Sequence, residues 1–145
     1  LKFFENYKTQ KMIDELVKRF MDGKSELRNQ FGANEPGSYG DIVEAVVKLV
    51  TDSNGYGEYN LDPDKIRTIN DGDCQGVLLF IIRGKGYQPR DYWYVKVVYG
   101  SCSACDTFQA IRDAGDWESN VPTEGQLNDY LTLALHIVQG LKKME

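Results

Sequence analysis

The chain has 145 residues, of which 27% are charged and 41% hydrophobic, with a formal charge of −5 and a pI near 4.9. That length suits one domain able to bury a core of its own. The acidic balance, with Lys142-Lys143 as its longest basic feature, excludes a phosphate-backbone footprint built from clustered Lys and Arg. No apolar run approaches the ~20 residues of a membrane span, since Val77 to Ile82 is only six.

Residues 3 to 31 read as a helix, with Ile13, Leu16, Val17, Phe20, Leu27 and Phe31 on one stripe and Gly23 as a break or kink. Gly32 to Gly37 is a turn by composition. Ser38 followed by Asp41 has the pattern of a helix N-cap with an acid in the first turn, and Ile42, Val43, Val46, Val47 and Val50 extend that helix to about residue 51.

Thr51 to Asp64 is polar and rich in Gly and Asn, so a loop is expected there, with Arg67 to Asp73 leading into the run VLLFII. That run is too short for a helix and reads as a buried strand. Arg83 to Arg90 is a loop, and YWYVKVVY is a second, strongly β-prone strand. The pair predicts an antiparallel hairpin over 74–99. TFQAIRD follows as a short helix, and Ala114 to Val121 as a loop holding Trp117. Thr123 and Gln126 form a capping box for a last helix running to about Lys143. The expectation is one α+β domain over 1–145, in the order α-α-β-β-α-α, with two N-terminal helices in 3–51 and C-terminal helices in 106–143 packed on a short antiparallel sheet.

The segment Gly100-Ser-Cys-Ser-Ala-Cys-Asp106 holds a C-x-x-C pair between strand and helix. With the hairpin loop centred near residue 86 or 87, paired positions sum to about 173 or 174, which sets Cys74 opposite Tyr99 or Gly100. Cys74, Cys102 and Cys105 then gather at one end of the sheet. Three chemistries suit them. The first is thiol redox, favoured by a helix start near a thiol and opposed by the adjacent Asp106, whose charge raises a thiol pKa. The second is zinc, for which three Cys and one His form a ligand set by count. His136 weakens that set, because at about 100° per residue it lies opposite Leu127 and so turns to solvent or a polar seam. The upstream His-x-Glu or Cys-x-Glu element of zinc nucleotide deaminases is absent. The third reading is a tight turn of small residues, in which Gly100, Ser101, Ser103 and Asp106 can shape a nest of backbone N–H groups for an anion.

Two further stretches resolve to ordinary roles. Asp52 to Glu58 partly mimics a calcium loop but fails at Tyr56 and at Pro63, where the bidentate Glu belongs. Asn70 to Asp73 pairs carboxylates without a His or Lys partner, and reads as a hairpin-entry turn with Gly72. No G-x-S-x-G elbow, phosphate loop or dinucleotide fingerprint occurs. Alternation along the second strand puts Trp93, Val95, Val97 and Tyr99 on a core face. Tyr92, Tyr94, Lys96 and Val98 fall on the other face, which suits an interface.

Asp71-Gly-Asp-Cys-Gln-Gly76, Tyr99-Gly-Ser-Cys-Ser-Ala-Cys-Asp106 and Asp129-Tyr-Leu-Thr-Leu-Ala-Leu-His136 together resemble a group of small uncharacterised proteins of bacteriophages and bacteria. The resemblance covers residues 70 to 140. It implies a cytoplasmic, phage-encoded protein and brings no catalytic residue. Three cysteines, an odd number, and an N-terminus LKFFENYKTQ without a signal-peptide core agree with the cytoplasm. The leading expectation is a soluble, non-enzymatic protein that binds another protein, as a phage accessory or inhibitor protein, with no cofactor. The rival is a thiol or zinc site built from Cys74, Cys102 and Cys105.

Overall fold

A computed structural model describes residues 2–54, 57–86 and 88–144. Tyr56 of the calcium-loop comparison and Tyr87 of the hairpin loop lie outside the described residues. The elements run α1 (Lys2–Ala33), α2 (Tyr39–Val50), β1 (Leu61–Gly72), β2 (Gly76–Gly84), β3 (Tyr92–Tyr99), α3 (Thr107–Asp113), α4 (Glu124–Gly140) and β4 (Lys142–Lys143). The four strands make one antiparallel sheet in the order β1-β2-β3-β4. The class is α+β, and the expected order gains two strands. No helix among the described residues is long and apolar enough to cross a membrane.

Helix α2 starts where its cap dictates. The Ser38 Oγ accepts from the Asp41 amide at 3.2 Å, and the Asp41 carboxylate accepts from the Gly37 amide at 2.8 Å. Ile42, Val43, Ala45, Val46, Val47 and Val50 are all buried, while Asp41, Glu44 and Lys48 form one polar stripe, so α2 buries a broad apolar face against the other elements. Its valines are indifferent helix formers, and tertiary burial overrides that propensity. Helix α1 packs on α2 and α4 through Leu16, Phe20, Leu27 and Phe31. It runs without the break expected at Gly23. A Cβ on Gly23 would collide with the Leu49 side chain, so this glycine permits close approach of two helices.

The sheet is buried on one side only. Phe80, Ile82, Trp93, Val95 and Val97 turn inward and join the helices in a single core. On the other parity no side chain of β2 or β3 is fully buried. All the helical packing lies against the first face, so the layers are α1, then α2 with α4, then the sheet.

Four expectations are corrected. The polar stretch from Leu61 is not loop and lead-in but β1, an edge strand whose Pro63 needs no ladder partner there. The β2–β3 register pairs Gly76 with Tyr99 and Val77 with Val98, so positions sum to 175, one or two beyond the expected value. The first hairpin strand therefore begins at Gly76, and Cys74 sits in the β1–β2 turn, which Gly72 enters at φ +152°. The last helix stops at Gly140. Leu141 caps it, and Lys142 and Lys143 then pair with Tyr94 and Trp93.

Candidate functional site

The outer sheet face is built by cross-strand rows. Asp71, Val77 and Val98 form one row; Ile69, Leu79 and Lys96 the next; Arg67, Ile81, Tyr94 and Lys142 the third; Arg83 and Tyr92 close the series. Tyr92, Tyr94 and Lys96 thus share the face read for them from the alternation of the strand. Val98 is 75% exposed, and Ile69 and Tyr92 are each 39% exposed. Branched and aromatic side chains on uncovered strands are an apolar patch, not part of the core. Among the described residues, Arg67, Arg83, Lys96 and Lys142 stand around it against one acid, Asp71. In a chain of net charge −5, the basic excess on this face is set against an acidic remainder. Nothing in the composition announces it, because it depends on β1, whose Arg67 and Ile69 were assigned to a lead-in.

A second feature lies at the end of β3. Asp106 caps α3, accepting from the Gln109 amide at 2.9 Å, and its other oxygen accepts from the Gly100 amide at 2.9 Å. The Tyr39 hydroxyl donates to the same carboxylate at 2.9 Å and accepts from the Phe108 amide at 3.0 Å. Asp106 is buried. The turn expected to form a nest around an external anion thus already holds a carboxylate of its own, reached by the Gly100 amide. Ser103 is drawn aside by a hydrogen bond to Asp113, and Ser101 is exposed on the rim.

Within this frame the Cys102 and Cys105 sulfurs stand 2.8 Å apart, both exposed. The Cys102 amide donates to the Cys105 sulfur at 3.0 Å, and the Cys105 amide donates to the Cys102 carbonyl at 3.0 Å. A Cβ on Gly100 would lie 2.6 Å from the Cys105 sulfur and 2.5 Å from its carbonyl oxygen, so only glycine admits this fold-back. The Cys105 thiol is held below its ordinary pKa, first by the hydrogen bond from the Cys102 side chain. The adjacent Asp106 was expected to push a thiol the other way. Its charge is directed inward, onto Tyr39 and the two amides.

Cys74 is exposed on the β1–β2 turn, at the same end of the sheet. The structure unites Cys102 with Cys105. Among the described residues no three His, Cys, Asp or Glu side chains are placed to hold a metal ion. His136 is exposed, as its helical position requires, yet it does not turn away from the thiols. It lines a cavity of about 550 Å³ together with Ser103, Cys105, Asp106 and Asp129. The polar flank of α4 faces the C-x-x-C turn because α3 folds back along it.

The Asp52 carboxylate, the first ligand of the calcium-loop comparison, accepts from Arg19 at 2.7 Å and from the Tyr59 amide at 2.8 Å. It ties α1 to the loop before β1.

Compared with known proteins, the chain matches no family model, no curated protein and no solved structure.

Proposed function

We propose that the protein is a non-enzymatic binding protein that docks the open face of its sheet on an acidic, partly apolar surface of another protein. The observation that carries this reading is the outer face itself: Val77, Leu79, Ile81 and Tyr94, half-buried with no helix packed over them, and the exposed Ile69, flanked by Arg67, Arg83, Lys96 and Lys142. An apolar centre with a charged rim is the anatomy of a protein interface, and tyrosine and arginine are the residues enriched there. The basic rim selects for an acidic partner and speeds the encounter.

The alternatives fit less well. A second copy placed face to face would set four cations against four. A nucleic acid would meet an acidic molecule at long range, and its phosphates would find branched aliphatic side chains in the centre of the face. The resemblance to small phage and bacterial proteins is the ground for reading the chain as an accessory or inhibitor protein acting on a bacterial host protein in the cytoplasm.

The test uses a synthetic peptide rich in Glu and Asp and bearing Leu and Phe, titrated into the labelled full chain by NMR. The expected shifts fall on Arg67, Ile69, Leu79, Ile81, Tyr94 and Lys96, and fade as salt rises. Arg67→Glu with Lys96→Glu lowers affinity by about tenfold or more. Shifts on the helical side, or none, overturn the proposal. So do tighter binding of polyuridylate to the same face, and concentration-dependent broadening of that face without peptide.

A further inference from the structure

We propose that Cys102 and Cys105 form a dithiol–disulfide exchange centre, with Cys105 as the attacking sulfur and with neutral or cationic disulfides as its substrates. This reading does not rest on the sheet face, whose Lys96 and Val98 border a neighbouring pocket shared with Thr107, Leu133 and His136.

Three features assign the roles. The sulfurs are already 2.8 Å apart, so closing a disulfide needs an approach of roughly 0.8 Å. The Cys102 amide donates to the Cys105 sulfur at 3.0 Å, and the Cys102 sulfur, 2.8 Å away, is within reach to donate to it once the Cys105 proton is lost. Hydrogen bonds of that kind stabilise a thiolate, which is the nucleophilic form. Finally, Cys105 borders the 550 Å³ cavity and Cys102 does not, so a disulfide seated in that cavity meets Cys105 first.

The turn is anchored at both ends. Asp106 binds the Gly100 amide on one side and the Gln109 amide on the other, bracketing the two cysteines. Gly100 leaves the space that the Cys105 sulfur occupies. Helix α3 has seven residues, and its dipole is not needed in the account.

The charge around the cavity sets the substrate class. Asp129 of α4 lines it and Ser103 links it to Asp113 of α3, while Asp106 lines it with its charge turned inward; Lys96 stands in the adjoining pocket beside His136, the one imidazole present. Carboxylates repel an anionic disulfide and attract a cationic one, weakly at an exposed site and less as salt rises.

The Cys105 thiolate attacks one sulfur of a disulfide RSSR; a Cys105–SR bond forms and RS⁻ leaves. The Cys102 thiol, giving its proton to that departing thiolate, attacks the Cys105 sulfur. A Cys102–Cys105 bond forms and the second RS⁻ leaves, taking up the proton released from Cys105. RSSR gains two electrons and becomes two RSH, and the protein dithiol loses two electrons and becomes a disulfide.

The experiment incubates the reduced full chain with cystamine, a dicationic disulfide, or with oxidised glutathione, an anionic one. Acid-quenched samples are read site by site by mass spectrometry. In the unaltered chain the expected product is an internal Cys102–Cys105 disulfide, formed before any adduct at Cys74, which serves as an exposed internal control. Cystamine reacts at least about threefold faster than glutathione disulfide relative to the urea-unfolded chain, and added salt narrows that ratio. Cys102→Ser traps the cystamine adduct on Cys105. Cys105→Ser reacts at Cys102 about tenfold more slowly. First adducts at Cys74, equal rates in the two serine variants, or a lasting adduct in the unaltered chain would each overturn the assignment. The result in the unaltered chain stands even where a variant fails to fold.

Discussion

The Tyr39 hydroxyl donates to the buried Asp106 carboxylate at 2.9 Å, and through it the start of α2 is fixed to the turn that carries the cysteines. The partners are separated by 67 residues in sequence. Asp106 also satisfies the Gly100 and Gln109 amides, so three donors depend on one side chain.

Removing that side chain is therefore costly. Asp106→Ala leaves a buried hydroxyl and two amides without their acceptor, and is expected to destabilise the fold by about 3 kcal/mol. Asp106→Asn keeps the shape but turns an NH₂ toward a donor, for a loss of about 1–2 kcal/mol. Urea unfolding of the two variants measures both. Equal and negligible losses would mean that the turn does not depend on this carboxylate.

Burial, aided by the nearby Asp106 charge, pushes the Tyr39 pKa up to about 12 from its ordinary 10.0. Tyr130, which donates to Glu35 at 2.6 Å, is raised as well, again chiefly by burial. A tyrosine whose folded pKa lies above its unfolded one keeps its proton better in the native state. Its contribution is complete below pH 10 and is lost as pH rises from about 10 toward 12. Stability should fall across that window, and Tyr39→Phe should flatten the fall. Unfolding midpoints measured through the alkaline range decide it; an unchanged slope in the phenylalanine variant would refute the assignment.

Gln126 does two jobs. Its Oε1 accepts from the Thr123 amide at 2.9 Å and completes the capping box, while its Nε2 donates to the Ile111 and Arg112 carbonyls at 3.0 and 3.3 Å. The last turn of α3 is thus terminated by the first turn of α4. Glutamate suits a capping box as well as glutamine does, but it cannot donate to carbonyls. Gln126→Glu is expected to cost about 2 kcal/mol, close to the loss in Gln126→Ala. If Gln126→Glu were as stable as the unaltered chain in thermal melts, the bridge to α3 would carry no weight.

The parts of the fold legible in the sequence are those with strong local signals. Ser38 and Thr123 announce their helices, and VLLFII and YWYVKVVY can be little else than strands. LDPDKIRTINDG was hidden because an edge strand with one thinly apolar face is assembled from residues of poor strand propensity. Missing it hid Arg67 and Ile69, and with them the basic and apolar character of the outer face. The faces of β3 were legible, since alternation is local. The place of His136 on the same cavity as Cys105 was not, because a helical wheel built on α4 alone does not show which element covers its polar flank. The approach of Cys102 to Cys105 follows from spacing. The inward direction of Asp106 needed Tyr39 from a distant helix.

The reading of the outer sheet face is tested most directly by photo-crosslinking in bacterial cells. p-Benzoylphenylalanine is placed at Tyr94 on the open face, or at Thr132 on the exposed side of α4. The account predicts that Tyr94 yields a covalent adduct whose partner peptide is rich in Asp and Glu. It also predicts that Arg67→Glu with Lys96→Glu abolishes this adduct and that Thr132 does not form it. The same adduct from both positions, or an adduct at Tyr94 indifferent to the charge reversal, would contradict it.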